Sequence, residues 1–213
     1  MDILGKLFSS NALVKIMRLF LLNPGKGFDV KDVAIRSKVT TSATRIEFAL
    51  LKSIGFIKKA SFYREVGKKI KSGLSVRITQ TGKSKKQKIL GWQLNPEFSY
   101  IKPLKDLLVS STALKREDIV KQLKKSGNVK LVVISGIFLS EDDSTIDLLV
   151  VGDKLKKRTL ENTFDNFEAE IGKELTYAFL ETPEFEYRLE MRDKFVRDIL
   201  DYPHETLIDK IGL

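Results

Sequence analysis

Residues 40 to 55, TTSATRIEFALLKSIG, predict one helix with two unlike faces. A threonine at its start can accept hydrogen bonds from the first free amides, and the glycine at its end can terminate it. At helical spacing Thr44, Phe48 and Leu51 share one side, which we expect to be buried. The opposite side then carries small, polar or basic residues and one isoleucine: Thr41, Ser42, Arg45, Ile46, Ala49 and Lys52.

Two further helices are predicted before this one. Residues 10 to 22 place apolar side chains at helical spacing after Ser9 or Ser10, either of which can cap the helix. The run DVKDVAIRSK, from Asp29, predicts a second helix of about two and a half turns. A long helix, a short helix, a polar turn and a third helix form the order of a helix-turn-helix unit.

Three strand-like runs follow: FIKKASFYREV, GLSVRITQ and KKQKILGWQL. Three helices followed by a basic β-ribbon resemble the winged-helix DNA-binding fold of small bacterial repressors and sensors, over roughly residues 8 to 95. The resemblance implies that the third helix is the recognition helix and that the wing lies between Phe62 and Lys88.

The ribbon is rich in lysine and nearly free of acid, as phosphate contact requires. We therefore expect double-stranded DNA as a partner, bound by the outward residues of the third helix and by four residues of the ribbon: Lys68, Lys69, Lys71 and Arg77. The lysines are also compatible with a role in protecting a sheet edge from aggregation. Phe62, Tyr63 and Trp92 are compatible with stacking on single-stranded bases or, as we favour, with packing between strands.

Charge divides the chain into two parts. Residues 1 to 125 carry 27 lysines and arginines against 9 acids, whereas residues 126 to 213 carry 11 against 19, so net charges of +18 and −8 make up the total of +10. This segregation predicts a basic module that faces a polyanion and an acidic module of another kind. We expect a winged-helix domain over residues 1 to 98, a helical connector over 99 to 127 and a small α/β domain over 128 to 213, hence the α+β class.

The connector contains two helical patterns. YIKPLKDLLV, from Tyr100, predicts a short amphipathic helix interrupted by Pro103, and ALKREDIVKQLKKSG predicts a longer one that ends at Gly127. One of them bridges the two modules, or they form a dimer interface. The sequence is compatible with both.

The acidic module begins with VKLVVI and IDLLVV, two apolar strands whose short link SGIFLSEDDST favours an antiparallel pair. A helix from about Lys157 to Gly172, a third strand LTYAFL, one helix EFEYRLEMRDKFVRDILD and a closing run TLIDKIG complete the pattern.

This order resembles the small nucleotidyltransferase domain, in which a Gly-Ser turn precedes a Ser-Asp-x-Asp strand and a third carboxylate lies on the next strand. In that family the three carboxylates hold two Mg²⁺ around a nucleoside triphosphate. On the resemblance Asp147 takes the place of the second aspartate, but Thr145 stands where the first belongs. Ser135 and Gly136 reverse the turn, and residues 175 to 180 offer no carboxylate. The resemblance therefore implies a relic of the site.

Over nearly the whole chain the sequence also resembles bacterial proteins that join a winged helix to such a degenerate domain and share stretches like GWQLNPEF, IDLLVVGD and EFEYR. We expect a DNA-binding transcriptional regulator that is not an enzyme. Its C-terminal domain then serves for homodimer formation, binding of a partner protein or sensing of a small effector. The alternative is an active nucleotidyltransferase of the antitoxin type, which modifies a partner protein.

Other classes of protein fit the composition poorly. The absence of cysteine and the single histidine, His204, remove the usual ligands of zinc, copper and iron, so we expect no metal and no cofactor. No apolar run reaches the length of a membrane span, and the N-terminus lacks the pattern of a signal peptide. We expect a cytoplasmic protein with no membrane partner.

Overall fold

The computed structural model describes residues 3–66, 85–109, 114–139, 141 and 144–213, with main chain only at 64–66 and 85–87. Helices and strands are mixed, as the α+β class predicts. The chain forms two compact units: the first takes its described residues from Met1–Lys68, Gly82–Leu114 and Asp165–Glu174, the second from Lys115–Phe164 and Leu175–Leu213. None of the helices in these described ranges combines the length and apolar character needed to cross a membrane.

The first unit begins with four helices and a β-ribbon, of which the first helix was not predicted. The elements are α1 (Ile3–Leu7), α2 (Asn11–Leu22), α3 (Val30–Arg36), α4 (Thr41–Ser53), β1 (Ile57–Val66) and β2 (Lys85–Leu94). Ser10 caps α2 by accepting from the amide of Leu13, and Asp29 caps α3 in a reciprocal capping box with Asp32. The three predicted helices are therefore confirmed, with the predicted caps.

β1 and β2 pair antiparallel without a break, from Ile57 opposite Leu94 to Val66 opposite Lys85. The predicted strand GLSVRITQ lies outside the described residues. Phe28 adds a short bridge to this ribbon by exchanging two backbone hydrogen bonds of 2.8 Å with Trp92. Gly91 permits this close approach, because a Cβ there would lie 2.4 Å from the carbonyl oxygen of Phe28.

The core of the first unit is built around a chain of aromatic rings. Phe20 packs on Phe28 and on Phe48 with ring centroids 5.6 and 6.0 Å apart, and Phe48 packs edge-on against Trp92 at 6.3 Å. Burial of these rings holds α2, α3, α4 and the ribbon together, since each ring removes a large apolar area from water. The packing supports the structural interpretation of Trp92.

The first half of the predicted connector forms helix α5 (Ile101–Val109), which lies in the first unit. The prediction that Pro103 interrupts this helix was wrong. Pro103 is the third residue of the helix, where its missing N–H group would have no intrahelical acceptor and therefore costs no hydrogen bond.

A buried arginine joins the end of α5 to residues 165–174. The side chain of Arg18 is 1% exposed, and it donates from Nε to the carbonyl oxygen of Leu108 at 2.8 Å and from an Nη atom to that of Glu170 at 3.2 Å. Asn23 donates to the carbonyl oxygen of Gly172 at 2.8 Å. The segment 165–174 is therefore a structural part of the first unit, although 140 residues separate it from α2 in the sequence.

The second unit contains the predicted α/β pattern. Its elements are α6 (Arg116–Leu123), β3 (Asn128–Ile134), β4 (Leu148–Asp153), the start of α7 (Lys157–Ile171), β5 (Tyr177–Glu181), α8 (Thr182–Glu190), α9 (Lys194–Asp201) and β6 (Glu205–Asp209). The strand order is β5-β4-β3-β6, with β3 antiparallel to β4 and β6 and with β5 parallel to β4. The predicted antiparallel pair is confirmed.

Two predictions for this unit were wrong. The run from residue 184 to 201 is not one helix, because Arg192 adopts φ 51° and Asp193 caps a new helix by accepting from the amides of Phe195 and Val196. The third strand also extends one residue further than predicted and ends with a carboxylate, Glu181. Apolar side chains of β3, β4 and β5 pack on one side of the sheet against Phe185, Val196 and Ile199 from α8 and α9.

Candidate nucleic-acid interface

Helix α4 presents the two faces that its sequence predicts. Thr40 caps it by accepting from the amide of Ala43 at 3.2 Å. Thr44, Phe48 and Leu51 are buried, and Thr44 keeps its hydroxyl satisfied by donating to the carbonyl oxygen of Thr40 at 3.0 Å. These contacts fix both the start of α4 and its rotation about its own axis.

The outward face of α4 carries the predicted contact residues. Thr41 is half-buried, and the other five are exposed: Ser42, Arg45, Ile46, Ala49 and Lys52. Ile46 is 70% exposed, which is unusual for an isoleucine in the middle of a helix. A helix surface that combines one exposed aliphatic side chain, small residues and cations has the chemistry needed to contact base edges and phosphates.

The single acid of α4 is directed away from this face. Glu47 is half-buried and accepts a hydrogen bond through Oε1 from the Ser10 hydroxyl, which also caps α2. The carboxylate is therefore held by the start of α2. As a result the outward face of α4 is uniformly positive, with Arg45 and Lys52 as its charged groups.

A second basic surface continues from α4 onto the ribbon. Cross-strand pairing places Lys59 opposite Trp92, Ser61 opposite Leu90 and Tyr63 opposite Lys88, so all six side chains share one face. Trp92 is half-buried, whereas Tyr63 and Leu90 are 70% and 81% exposed.

The ammonium group of Lys52 joins these two surfaces. Its Nζ lies 5.8 Å from the centre of the Trp92 ring, within the range of a cation–π contact. The exposed face of α4 and the exposed face of the ribbon therefore form one continuous surface, which we name the α4–ribbon surface. It contains Ser42, Arg45, Ile46, Ala49, Lys52, Lys59, Ser61, Tyr63, Lys88, Leu90 and Trp92.

The structure reaches only part of the predicted interface. Lys68, Lys69, Lys71 and Arg77 lie outside the described residues. Lys59 and Leu90 were missed by the sequence analysis, although the period-two alternation of FIKKASFYREV and KKQKILGWQL assigns them to one face once the pairing register is known.

In the second unit Asp147 has both carboxylate oxygens bound to backbone amides. Oδ1 accepts from Ile137 at 2.9 Å, and Oδ2 accepts from Thr176 at 2.8 Å. A Cβ at residue 136 would lie 2.3 Å from Oδ1, so Gly136 with φ 55° is needed for the turn to reach this carboxylate. Asp147 thus connects the turn after β3 to the start of β5.

The other relic positions are also occupied by structural contacts. The Ser135 hydroxyl donates to the carbonyl oxygen of Ile146, and the amide of Gly136 donates to Ser144 Oγ at 3.1 Å. Thr145 is exposed. Glu181 pairs with the level of Gly152, four residues or about 13 Å along the parallel strands from the Asp147 end. It accepts from the amides of Lys154 and Leu155 there.

Within the described part of the chain, no group of three or more acidic or histidine side chains is arranged to hold a metal ion. Two-metal phosphoryl transfer needs several carboxylates that converge on one point. Among the described residues Asp147 and Glu181 do not converge, because they lie at opposite ends of the β4–β5 pair.

Comparison with known proteins gives no relative, since no family model, no curated protein and no solved structure matches the chain.

Proposed function

We propose that the protein is a DNA-binding transcriptional regulator in which the first unit is a winged-helix domain. The observation that carries the proposal is the α4–ribbon surface, where an acid-free helix face continues through the Lys52–Trp92 contact into a basic ribbon. A helix with side chains is about 10 to 12 Å across and fits the major groove of B-DNA, which is about 12 Å wide.

Each exposed residue of α4 has a plausible partner in that groove. Arg45 can donate two hydrogen bonds to the O6 and N7 atoms of a guanine, and Ile46 can contact the methyl group of a thymine. Ser42 and Ala49 are small and permit close approach of the helix. Lys59 and Lys88 on the ribbon then meet phosphates, with the predicted wing residues Lys68, Lys69, Lys71 and Arg77 adding to the charge.

The second unit, on this proposal, is a nucleotidyltransferase-like domain without catalytic activity. Support comes from the carboxylate of Asp147, whose two oxygens already accept backbone hydrogen bonds, and from Thr145, which cannot act as an anionic metal ligand. Such a domain retains a folded surface for association or for sensing of an effector.

The test is selection of bound sequences from a random duplex library with the full-length chain. The full chain is used because residues 165–174 belong to the first unit. We expect one enriched motif. Arg45→Ala should weaken binding to that motif by about 1 to 3 kcal/mol and affect random DNA much less.

The matched control is Arg197→Ala, an exposed arginine of α9 whose ion pair with Asp201 spans 3.8 Å. It should leave affinity for both duplexes unchanged. A library that stays at its input composition after repeated selection would rule out sequence-specific recognition, and equal losses for the two arginine variants would remove Arg45 from the interface.

A further inference from the structure

The first unit contains an apolar groove that the proposed function does not use. It has a volume of about 420 Å³ and is lined by Leu13 and Met17 from α2, Leu50 and Ile54 from α4, and Pro103 and Leu107 from α5. Several of its walls face solvent: Leu107, Leu50 and Ile54 are 43%, 44% and 49% exposed. Tyr100, at the mouth of the groove, is 64% exposed.

The openness of the groove argues against a small molecule as its occupant. Small-molecule sites typically bury about 70 to 90% of their ligand, which walls that are half-exposed do not achieve. The apolar side chains instead follow a helical stripe, since Tyr100, Pro103, Leu104 and Leu107 are spaced by three and four residues at α5. Such a stripe is the pattern by which one helix packs against another.

The area fits an interface between proteins. The exposed parts of the lining side chains amount to on the order of 400 to 500 Å² of apolar surface, as large as functional patches on monomers. A standard interface buries about 800 Å² per partner with a core that is about 65% apolar. The groove and its rim therefore supply the apolar share of one interface of standard size.

Charge on α5 points to a second copy of the same chain. Asp106 and Lys102 are exposed and follow one another by one turn on one flank of the stripe. In an antiparallel pair of α5 helices Lys102 of one copy lies opposite Asp106 of the other, whereas a parallel pair would bring like charges together. A two-fold axis across α5 makes the same surface complementary to itself.

We infer that this groove is the interface of a two-fold symmetric dimer, in which α5 of each copy packs antiparallel to α5 of the other and its Leu107 side chain enters the groove opposite. The dimer itself requires no DNA. Its consequence for DNA, recognition of two half-sites related by two-fold symmetry, rests on the proposed function.

Sedimentation equilibrium of the full chain without DNA tests the inference. Over about 1 to 100 µM the mass should rise from 24.2 kDa toward twice that value. Leu107→Glu, which places a charge in the apolar interface, should raise the dimer dissociation constant at least about tenfold. Met191→Glu, at a position that is 64% exposed in the second unit, is the matched control and should change nothing.

A charge exchange checks the orientation and does not depend on tolerance of Leu107→Glu. Asp106→Lys should weaken the dimer, and the double variant Asp106→Lys with Lys102→Glu should restore it. A chain that stays monomeric up to about 100 µM overturns the inference. A dimer that survives both Leu107→Glu and Asp106→Lys lies at another surface and also overturns it. Because DNA is absent, these outcomes are independent of whether the protein binds DNA.

Discussion

The carboxylate of Asp147 bridges the amide of Ile137, ten residues before it, and the amide of Thr176, 29 residues after it. The main chain of Asp147 adds a hydrogen bond from its own amide to the carbonyl oxygen of Thr176 at 2.7 Å. A position that resembles a catalytic metal ligand is thus used to hold a turn against a strand. The same carboxylate charge serves both uses, which explains how the residue type can persist without the chemistry.

Asp147→Asn should destabilise the protein while leaving DNA binding unchanged in the folded fraction. The amide group can accept only one of the two hydrogen bonds, and its NH₂ group then faces a backbone N–H. We expect a loss of about 1 to 3 kcal/mol in the free energy of unfolding, measured by urea denaturation. Asp201→Asn, whose side chain is exposed at the end of α9, is the control and should stay within about 0.5 kcal/mol of wild type. Equal stability of the two variants would remove the proposed structural role of Asp147.

The full-length protein should show no nucleotidyl transfer. With Mg²⁺ or Mn²⁺ and a nucleoside triphosphate we expect no saturable heat in calorimetry, since a single carboxylate with both oxygens engaged is a poor ligand for two divalent ions. Metal-dependent transfer of labelled nucleotide that disappears in Asp147→Asn, assayed where circular dichroism shows the variant folded, would establish the enzymatic alternative instead.

Arg18→Leu should cost about 2 to 4 kcal/mol in the free energy of unfolding. The substitution keeps apolar volume but leaves the carbonyl oxygens of Leu108 and Glu170 without this donor. Arg45→Leu removes the same charge from an exposed position and should change stability by less than about 0.5 kcal/mol. A similar small effect for Arg18→Leu in urea denaturation would mean that residues 165–174 are held to the first unit by apolar contacts alone.

Asp209 should make stability depend on pH in the acid range. The amide of Gly212, followed by that of Ile211, holds the pKa of Asp209 below its usual value. A pKa that is lowered in the folded state adds stability above the usual carboxyl range, and this is lost as pH falls through the lowered pKa. The difference in unfolding free energy between wild type and Asp209→Asn should therefore be largest near pH 7 and shrink toward about pH 2. A difference that stays constant over that range would show that the amides do not favour the charged carboxylate.

Local features of the fold could be predicted from the sequence because short-range chemistry determines them. The caps at Ser10, Asp29 and Thr40 and the faces of α4 depend on neighbours within one or two turns. The break between α8 and α9 has the same local origin, since Asp193 is a typical cap residue. It was missed because apolar periodicity runs through it.

Features that depend on distant residues could not be predicted in this way. The inward direction of Glu47 is set by Ser10, 37 residues earlier, and the partners of Asp147 are set by strand order. The attachment of residues 165–174 to the first unit depends on Arg18 and Asn23, about 150 residues away. In each case the sequence shows a polar residue of ordinary type, and only the assembled fold brings its partner within hydrogen-bond distance.

The central claim is that the basic surface of the first unit neutralises DNA phosphates. Fluorescence anisotropy of the full-length chain on a labelled duplex across a salt series tests it most directly. Each phosphate contact contributes about −0.9 to the slope of log K against log salt, so about four to six contacts predict a slope near −4 to −5. Replacing the predicted wing residues Lys68, Lys69 and Lys71 by alanine should weaken binding to every sequence and flatten that slope by up to about three. A triple variant that retains the wild-type slope and affinity, or a full-length chain that fails to bind duplex at low salt, would contradict the account.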